Sequence, residues 1–154
     1  MAGVREPKYR DRGMARRAQI TPAARETRFE LDRLLSGAWG ALDRSYAPYS
    51  RFAVGAALLD SRGRIWTGAN VENASYPLGI CAERNALLAW KSGGGSRLVA
   101  IAIVSGAARP TPPCGLCRDA LRHHAARATV YLATQHEVSG PYLAAEWLPG
   151  LVDR

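Results

Sequence analysis

Residues 80–104, ICAERNALLAWKSGGGSRLVAIAIV, read as a helix, a break and a buried strand. From Ile80 to Lys91, Ala82, Ala86, Leu87, Ala89 and Trp90 are available for packing on a helix. Ser92-Gly93-Gly94-Gly95-Ser96 stops that helix and is expected to be flexible. Leu98 to Val104 is a short, continuous apolar run, the pattern of a strand covered on both faces. The alternation continues outward. Thr21-Pro22 provides a cap and a first-turn proline, and Phe29, Leu31, Leu34, Leu35, Ala38, Trp39 and Leu42 recur at helical spacing, predicting a helix from about 22 to 45. Phe52–Asp60 and Arg64–Gly68 read as strands joined through Ser61-Arg62-Gly63, followed by a polar loop from Asn70 to Gly79. Downstream, a proline-rich loop at 109–113 leads to a helix from Cys114 to about His124. A strand at Thr129–Ala133, a weaker one near Val138 and a last helix near Tyr142–Trp147 follow. Strands and helices alternating at this length specify an α/β layered sheet.

A chain of 154 residues with 47% hydrophobic residues suits one domain with a core that needs no disulfide staples. No apolar run is long enough to span a bilayer, no secretory signal is visible, and an odd number of cysteines fits a reducing compartment, so a cytoplasmic protein with no membrane partner is expected. The net charge of +8 is uneven. Residues 1–22 hold six basic and two acidic side chains, half of the net charge. Such a segment can touch a polyanion. With Tyr9 as its only aromatic it reads instead as a solvated, disordered basic extension, which leaves 23–154 as the folded domain.

The chain has three cysteines: Cys81 in Cys81-Ala82-Glu83, and Cys114 and Cys117 in Pro113-Cys114-Gly115-Leu116-Cys117. Three thiolates can hold one zinc ion and leave its fourth position for water, the arrangement of a catalytic site. Cys81 and Cys114 fall at predicted helix N-termini, where free N–H groups and the helix dipole favour thiolate. Cys114 and Cys117, three residues apart on a helix, share a face. Glu83 is placed to take a proton from a zinc-activated water. Arg84 and Arg118 each follow a site residue, where a guanidinium donating to sulfur offsets the charge of three thiolates around a dication. A redox Cys-x-x-Cys pair would leave Cys81 and Glu83 unexplained. His123 and His124 lie at the far end of the third helix and read as helix-end histidines, not ligands.

These motifs resemble the zinc-dependent cytidine deaminases. Tyr46-Ala47-Pro48-Tyr49-Ser50-Arg51-Phe52-Ala53-Val54-Gly55-Ala56-Ala57-Leu58 is similar to the family's N-terminal motif. Asn70-Val71-Glu72-Asn73-Ala74-Ser75-Tyr76-Pro77-Leu78-Gly79-Ile80-Cys81-Ala82-Glu83-Arg84 is similar to its central block, Pro113 to Arg118 to its third, and Glu146-Trp147-Leu148-Pro149 to its C-terminal motif. The resemblance spans about residues 23 to 150, and the three-cysteine ligand set is like the small homotetrameric class. It implies a three-layer α/β/α sandwich around a mixed sheet of about five strands, with one Zn2+ per chain. It also implies hydrolytic deamination of cytidine or 2′-deoxycytidine in pyrimidine salvage, with Glu83 moving protons to ring N3 and to the leaving amine. By the same resemblance Asn70 and Glu72 bind a sugar hydroxyl, Phe52 stacks on the pyrimidine, the Ala82 N–H meets the base carbonyl, and Tyr76 helps complete sites across subunit boundaries.

The chain departs from the family pattern at three points. Asp119 stands where a glutamine is usual, Asn85 where a small hydroxyl residue is usual, and about Val152 where a phenylalanine is common. Other substrates therefore stay open: a modified cytosine nucleoside such as a nucleoside antibiotic, or a polynucleotide cytosine. The sugar-hydroxyl motifs suit a free nucleoside better than a nucleic acid, whose hydroxyls are esterified.

Overall fold

A computed structural model describes residues 22–147. The basic segment 1–21 with the Thr21 cap, the Leu148-Pro149 end of the C-terminal motif and Val152 lie outside the described residues. Helix α1 (Pro22–Leu42) is followed by strands β1 (Val54–Asp60) and β2 (Ile65–Ala69), helix α2 (Ala82–Ser92), strand β3 (Leu98–Ser105), helix α3 (Gly115–Ala125), and strands β4 (Thr129–Ala133) and β5 (Val138–Leu143). Short 3-10 turns occupy Tyr76–Leu78 and Ala144–Trp147.

The five strands form one mixed sheet in the order β2-β1-β3-β4-β5. Strands β1–β2, β1–β3 and β4–β5 pair antiparallel, and β3–β4 pair parallel. A parallel pair needs a crossover, and α3 supplies it. Because side chains alternate across a strand, neighbouring residues of β1 and β3 enter different cores. Ala57, Leu59, Ala102 and Val104 pack with Leu34 and Ala38 of α1 on one face. Ala56, Leu58, Ile101 and Ile103 pack with Ala86, Leu87 and Trp90 of α2 and Leu121 of α3 on the other. The expected three-layer α/β/α sandwich results, with α2 and α3 side by side.

Two glycines set the layer spacing. A Cβ on Gly55 would lie 2.1 Å from the Ala38 carbonyl oxygen of α1, and one on Gly68 would lie 2.3 Å from the Ala86 nitrogen of α2. Helix backbone thus rests directly on strand backbone at both points. A methyl at Gly68 forces α2 away from β2, an overpacking cost of about 1–3 kcal/mol. We expect Gly68→Ala to lower Tm by about 2–12 °C in thermal unfolding followed by circular dichroism.

Some boundaries differ from expectation. Helix α1 ends at Leu42, because Arg44 and Ser45 donate to Ala41 and Leu42, closing the last turn with tighter i→i−3 bonds. The last helix expected at Tyr142–Trp147 is displaced. Tyr142 and Leu143 pair with Val130 and Thr129 in β5, leaving the 3-10 turn Ala144–Trp147. Pro141 is tolerated there because β5 is an edge strand.

The glycine-rich break at 92–96 is held, not flexible. The Trp90 indole donates to the Ser96 carbonyl (2.7 Å), Gly95 N–H donates to the Trp90 carbonyl (2.8 Å), and Gly95 lies against the Trp90 ring. Buried Asp60, at the end of β1, closes the same corner. It accepts from the N–H groups of Arg62, Arg64 and Ser96, from the Trp66 indole and from the Arg64 guanidinium. Burial alone raises its pKa, but the Trp66 bond and the backbone donors outweigh it and hold the carboxyl well below the usual range. The folded pKa lies below the unfolded one, so this stabilisation is full above an unfolded value of about 3.9 and is lost as pH falls further. Urea midpoints should therefore drop more steeply below pH ~4 for the wild type than for Asp60→Asn, which starts lower and flatter.

Candidate active site and metal centre

Two helix N-termini converge on one point. Cys81 is the N-cap of α2 and Cys114 the N-cap of α3, both in extended backbone without a side-chain cap bond. Cys117 lies in the first turn of α3 and is fully buried. The three sulfurs lie within 4.8 Å of one another, with Cys81 and Cys114 3.8 Å apart. Metal–sulfur bonds of about 2.3 Å in a tetrahedron space sulfurs about 3.8 Å apart, so this donor set fits zinc. Among the described residues no other group of three potential ligands comes together. His123 and His124 are exposed at the far end of α3, with His124 edge-on to Trp90, as read from the sequence.

The sulfurs polarise one another. A hydrogen bond from Cys117, opposed by burial and aided by Arg84, draws the Cys81 thiol down to about 5, while its bond to Cys81 and burial push Cys117 up. Arg84 places Nη2 3.4 Å from the Gly79 carbonyl and 4.0 Å from the Cys81 sulfur. Its Nε is buried with no partner, the sole such side-chain atom among the described residues. A buried cation edge beside three sulfurs suits a thiolate-rich centre. Arg118 donates from Nε to the Pro113 carbonyl (2.8 Å), tying the start of α3 to the loop before Cys114. Asp119, the unusual carboxylate in the third motif, is exposed on α3.

Glu83 lies in the first turn of α2 with 4% of its surface exposed. Burial raises its pKa, and the negative charge at Cys81 raises it further. Ala82, just before it, is fully buried and begins the helix, where backbone N–H groups lack intrahelical partners. Phe52 precedes β1 in a loop, not in the strand expected for it, and is 36% exposed. Tyr76 is 91% exposed in the 70–79 segment.

Asn70 and Glu72 do more than the sequence suggested. The Asn70 amide donates to the Phe52 carbonyl (2.9 Å), and its oxygen accepts from Val54 N–H and the Ser45 hydroxyl. Glu72 accepts from the N–H groups of Tyr49 (2.9 Å) and Ser50 (3.1 Å) and from the Ser50 hydroxyl. The Ser50 hydroxyl, more than the two N–H groups, holds the Glu72 carboxyl below its ordinary pKa against the opposing effect of burial. A bridge between Tyr46 and Val71 completes the seam. Within it, Arg51 takes a left-handed conformation (φ 57°), uncommon for a residue with a side chain, fixed by its N–H bond to the Ala47 carbonyl. Sequence reasoning missed Tyr49 and Ser50 as Glu72's partners. The usable signal was two polar loops, one offering an amide and a carboxylate and the other N–H groups and hydroxyls.

The family model for the cytidine and deoxycytidylate deaminase zinc-binding region matches residues 30–133, more than half of the chain. The chain belongs to this deaminase family. It is 46% identical over 118 residues to a cytidine deaminase of Halalkalibacterium halodurans, covering 76% of this chain and 89% of that one. A crystal structure of cytidine deaminase from Burkholderia pseudomallei superposes with a TM-score of 0.72 at 40% identity, covering 77% of this chain and 95% of that one. The cytidine deaminase from Mycobacterium tuberculosis gives a TM-score of 0.66 at 41% identity, with 79% and 98% covered. The deaminase sheet and helices of this chain are thus those of its relatives, and its three-cysteine cluster fits Zn2+. Among the described residues no helix is long and apolar enough to cross a membrane.

A metal held by these ligands links the two helices and stabilises the folded state. Chelation with dipicolinate should release one zinc per chain and lower Tm by about 8–16 °C, an effect of about 4 kcal/mol for an ion at a thousand times its Kd. Cys117→Ser should carry less metal by elemental analysis and respond little to chelator.

Proposed function

We propose that this deaminase hydrolyses cytidine and 2′-deoxycytidine to uridine and 2′-deoxyuridine with release of ammonia. The observation that carries the reading is a buried Glu83 two residues beyond the Cys81 cap, beside a three-sulfur cluster.

Cys81, Cys114 and Cys117 would hold the ion, and zinc, when bound, would supply a polarised water with its pKa lowered to about 7. Glu83 accepts the water's proton and passes it to ring N3, which draws electron density from C4 and opens it to attack. The water oxygen bonds to C4, and Glu83 takes the proton of the new C4 hydroxyl and delivers it to the amine, which leaves as ammonia when the C4–N bond breaks and the C4 carbonyl forms. A carboxyl whose pKa is raised by burial suits both giving and taking. The Ala82 N–H, at the positive end of α2, donates to the base carbonyl. The half-exposed Phe52 ring offers a face for the pyrimidine. Asn70 keeps one amide hydrogen beyond its bond to Phe52, and Glu72 keeps acceptor capacity beyond Tyr49 and Ser50, so both can reach a sugar hydroxyl. Arg84 offsets thiolate charge, and Arg118 braces the Cys114 loop.

The same reading makes residues 23–154 the catalytic domain of a cytoplasmic homotetramer. Tyr76 and Leu78, bare on one protomer, are the kind of side chains a neighbour covers.

Turnover is followed by loss of the cytosine ultraviolet band. Glu83→Gln should retain one zinc per chain and lower kcat by about 10²–10⁴. Unchanged turnover would remove Glu83 from the mechanism. A zinc-loaded wild type inactive on both nucleosides would overturn the substrate assignment.

A further inference from the structure

We propose that Asn85 is a positioning residue that sets the distance between the end of the site that acts on the base and the end that holds the sugar. The inference rests on the reading of Asn70 and Glu72 as sugar-binding residues.

Asn85 follows Glu83 by two residues and Cys81 by four, all at the start of α2, and its backbone N–H bonds the Cys81 carbonyl at 3.0 Å. Its side-chain amide leaves the helix and donates to the Ala69 carbonyl, also at 3.0 Å. Ala69 is the last residue of β2, the edge strand of the sheet, and directly precedes Asn70. The Asn70 N–H bonds Val54 of β1. In an antiparallel ladder neighbouring residues point their backbone groups to opposite sides, so the Ala69 carbonyl faces the open edge, where no strand can satisfy it. Asn85 supplies the donor.

The amide therefore ties the turn bearing Cys81 and Glu83 to the strand end from which Asn70 and Glu72 emerge. Below this point Gly68 already rests on α2. Above it the chain enters the seam that holds Phe52, Tyr49 and Ser50. Asn85 is the side-chain link from α2 to the strand end, and just beyond it the Val71–Ile80 backbone bridge ties the arm to the residue before Cys81. A serine there keeps a polar group but is shorter by an amide, and its hydroxyl turns to the helix's own carbonyl four residues back. The Ala69 carbonyl then loses its donor, and the Gly68 contact and the Val71–Ile80 bridge alone are left to hold the strand end in place relative to Glu83.

The test compares zinc-loaded wild type and Asn85→Ser with 2′-deoxycytidine and 2′,3′-dideoxycytidine, which differ only in the 3′-hydroxyl. In wild type, removing that hydroxyl should lower kcat/KM strongly. In Asn85→Ser the penalty should shrink at least tenfold, because the sugar contacts are already misaligned, while zinc stays at one per chain. Hydrogen exchange on the full-length proteins should quicken in residues 69–73 and stay unchanged in β3 and β4. Asn85→Gln, which lengthens the amide without removing it, provides a second variant should the serine protein not fold, and it too should compress the ratio. An equal loss on both nucleosides would show a merely structural role and overturn the proposal, as would loss of zinc or unchanged kinetics. A wild type inactive on both nucleosides would instead sink the functional reading beneath it.

Discussion

Two helices of this protein direct their positive ends at the same place. The N-termini of α2 and α3 meet with Cys81 and Cys114 3.8 Å apart. Like dipole ends brought together repel, and several backbone N–H groups at each end have no partner within the helix. The convergence is stable only with negative charge between them. Three thiolates provide it, a dication then holds the thiolates together, and Arg84 balances what is left. Charges of alternating sign are nested at one point, and the fold around them keeps that point in register.

The register comes from the sheet. Strands β1 and β3 are buried on both faces, so both can carry helices, and the helices that form the centre share one face. Helix α2 approaches through Gly68 until backbone touches backbone, and α3 arrives as the crossover between the parallel strands β3 and β4. Neither helix end needs a specific loop to find the other. The long 43–53 and 70–79 connections are thereby free to be shaped by what they bind and by each other.

Much of this was legible in the sequence because it rests on period and spacing. The apolar run at Leu98–Val104 and the helical repeats after Pro22 and Ile80 describe burial, and burial decides layers. Cys81, Cys114 and Cys117 were readable as one centre because ligand chemistry is specific and a cysteine beside a helix start has few other uses. What escaped was set by partners distant in the chain. Nothing local to Glu72 announces that it holds Tyr49 and Ser50, nor does Ser92–Ser96 reveal that Trp90 and Asp60 fix it. The last helix was misplaced because the Val138–Leu143 stretch has weak strand character by itself. Its identity comes from pairing with β4.

The closed corner at Asp60 has a mechanical consequence. Bonds from Trp90 and Ser96 fasten the C-terminal end of α2 to the sheet, and Gly68 fastens its first turns. A helix fixed at both ends cannot slide or tilt to admit a ligand, so Glu83 and Cys81 move only with the sheet itself. Compliance must then reside in the middle of the 70–79 arm, around Tyr76, which contributes no large buried residue and lies beyond the bonds that hold Asn70 and Glu72. The molecule is divided into a stiff anvil that carries Glu83 and the cysteines and an exposed rim that carries the sugar-facing residues.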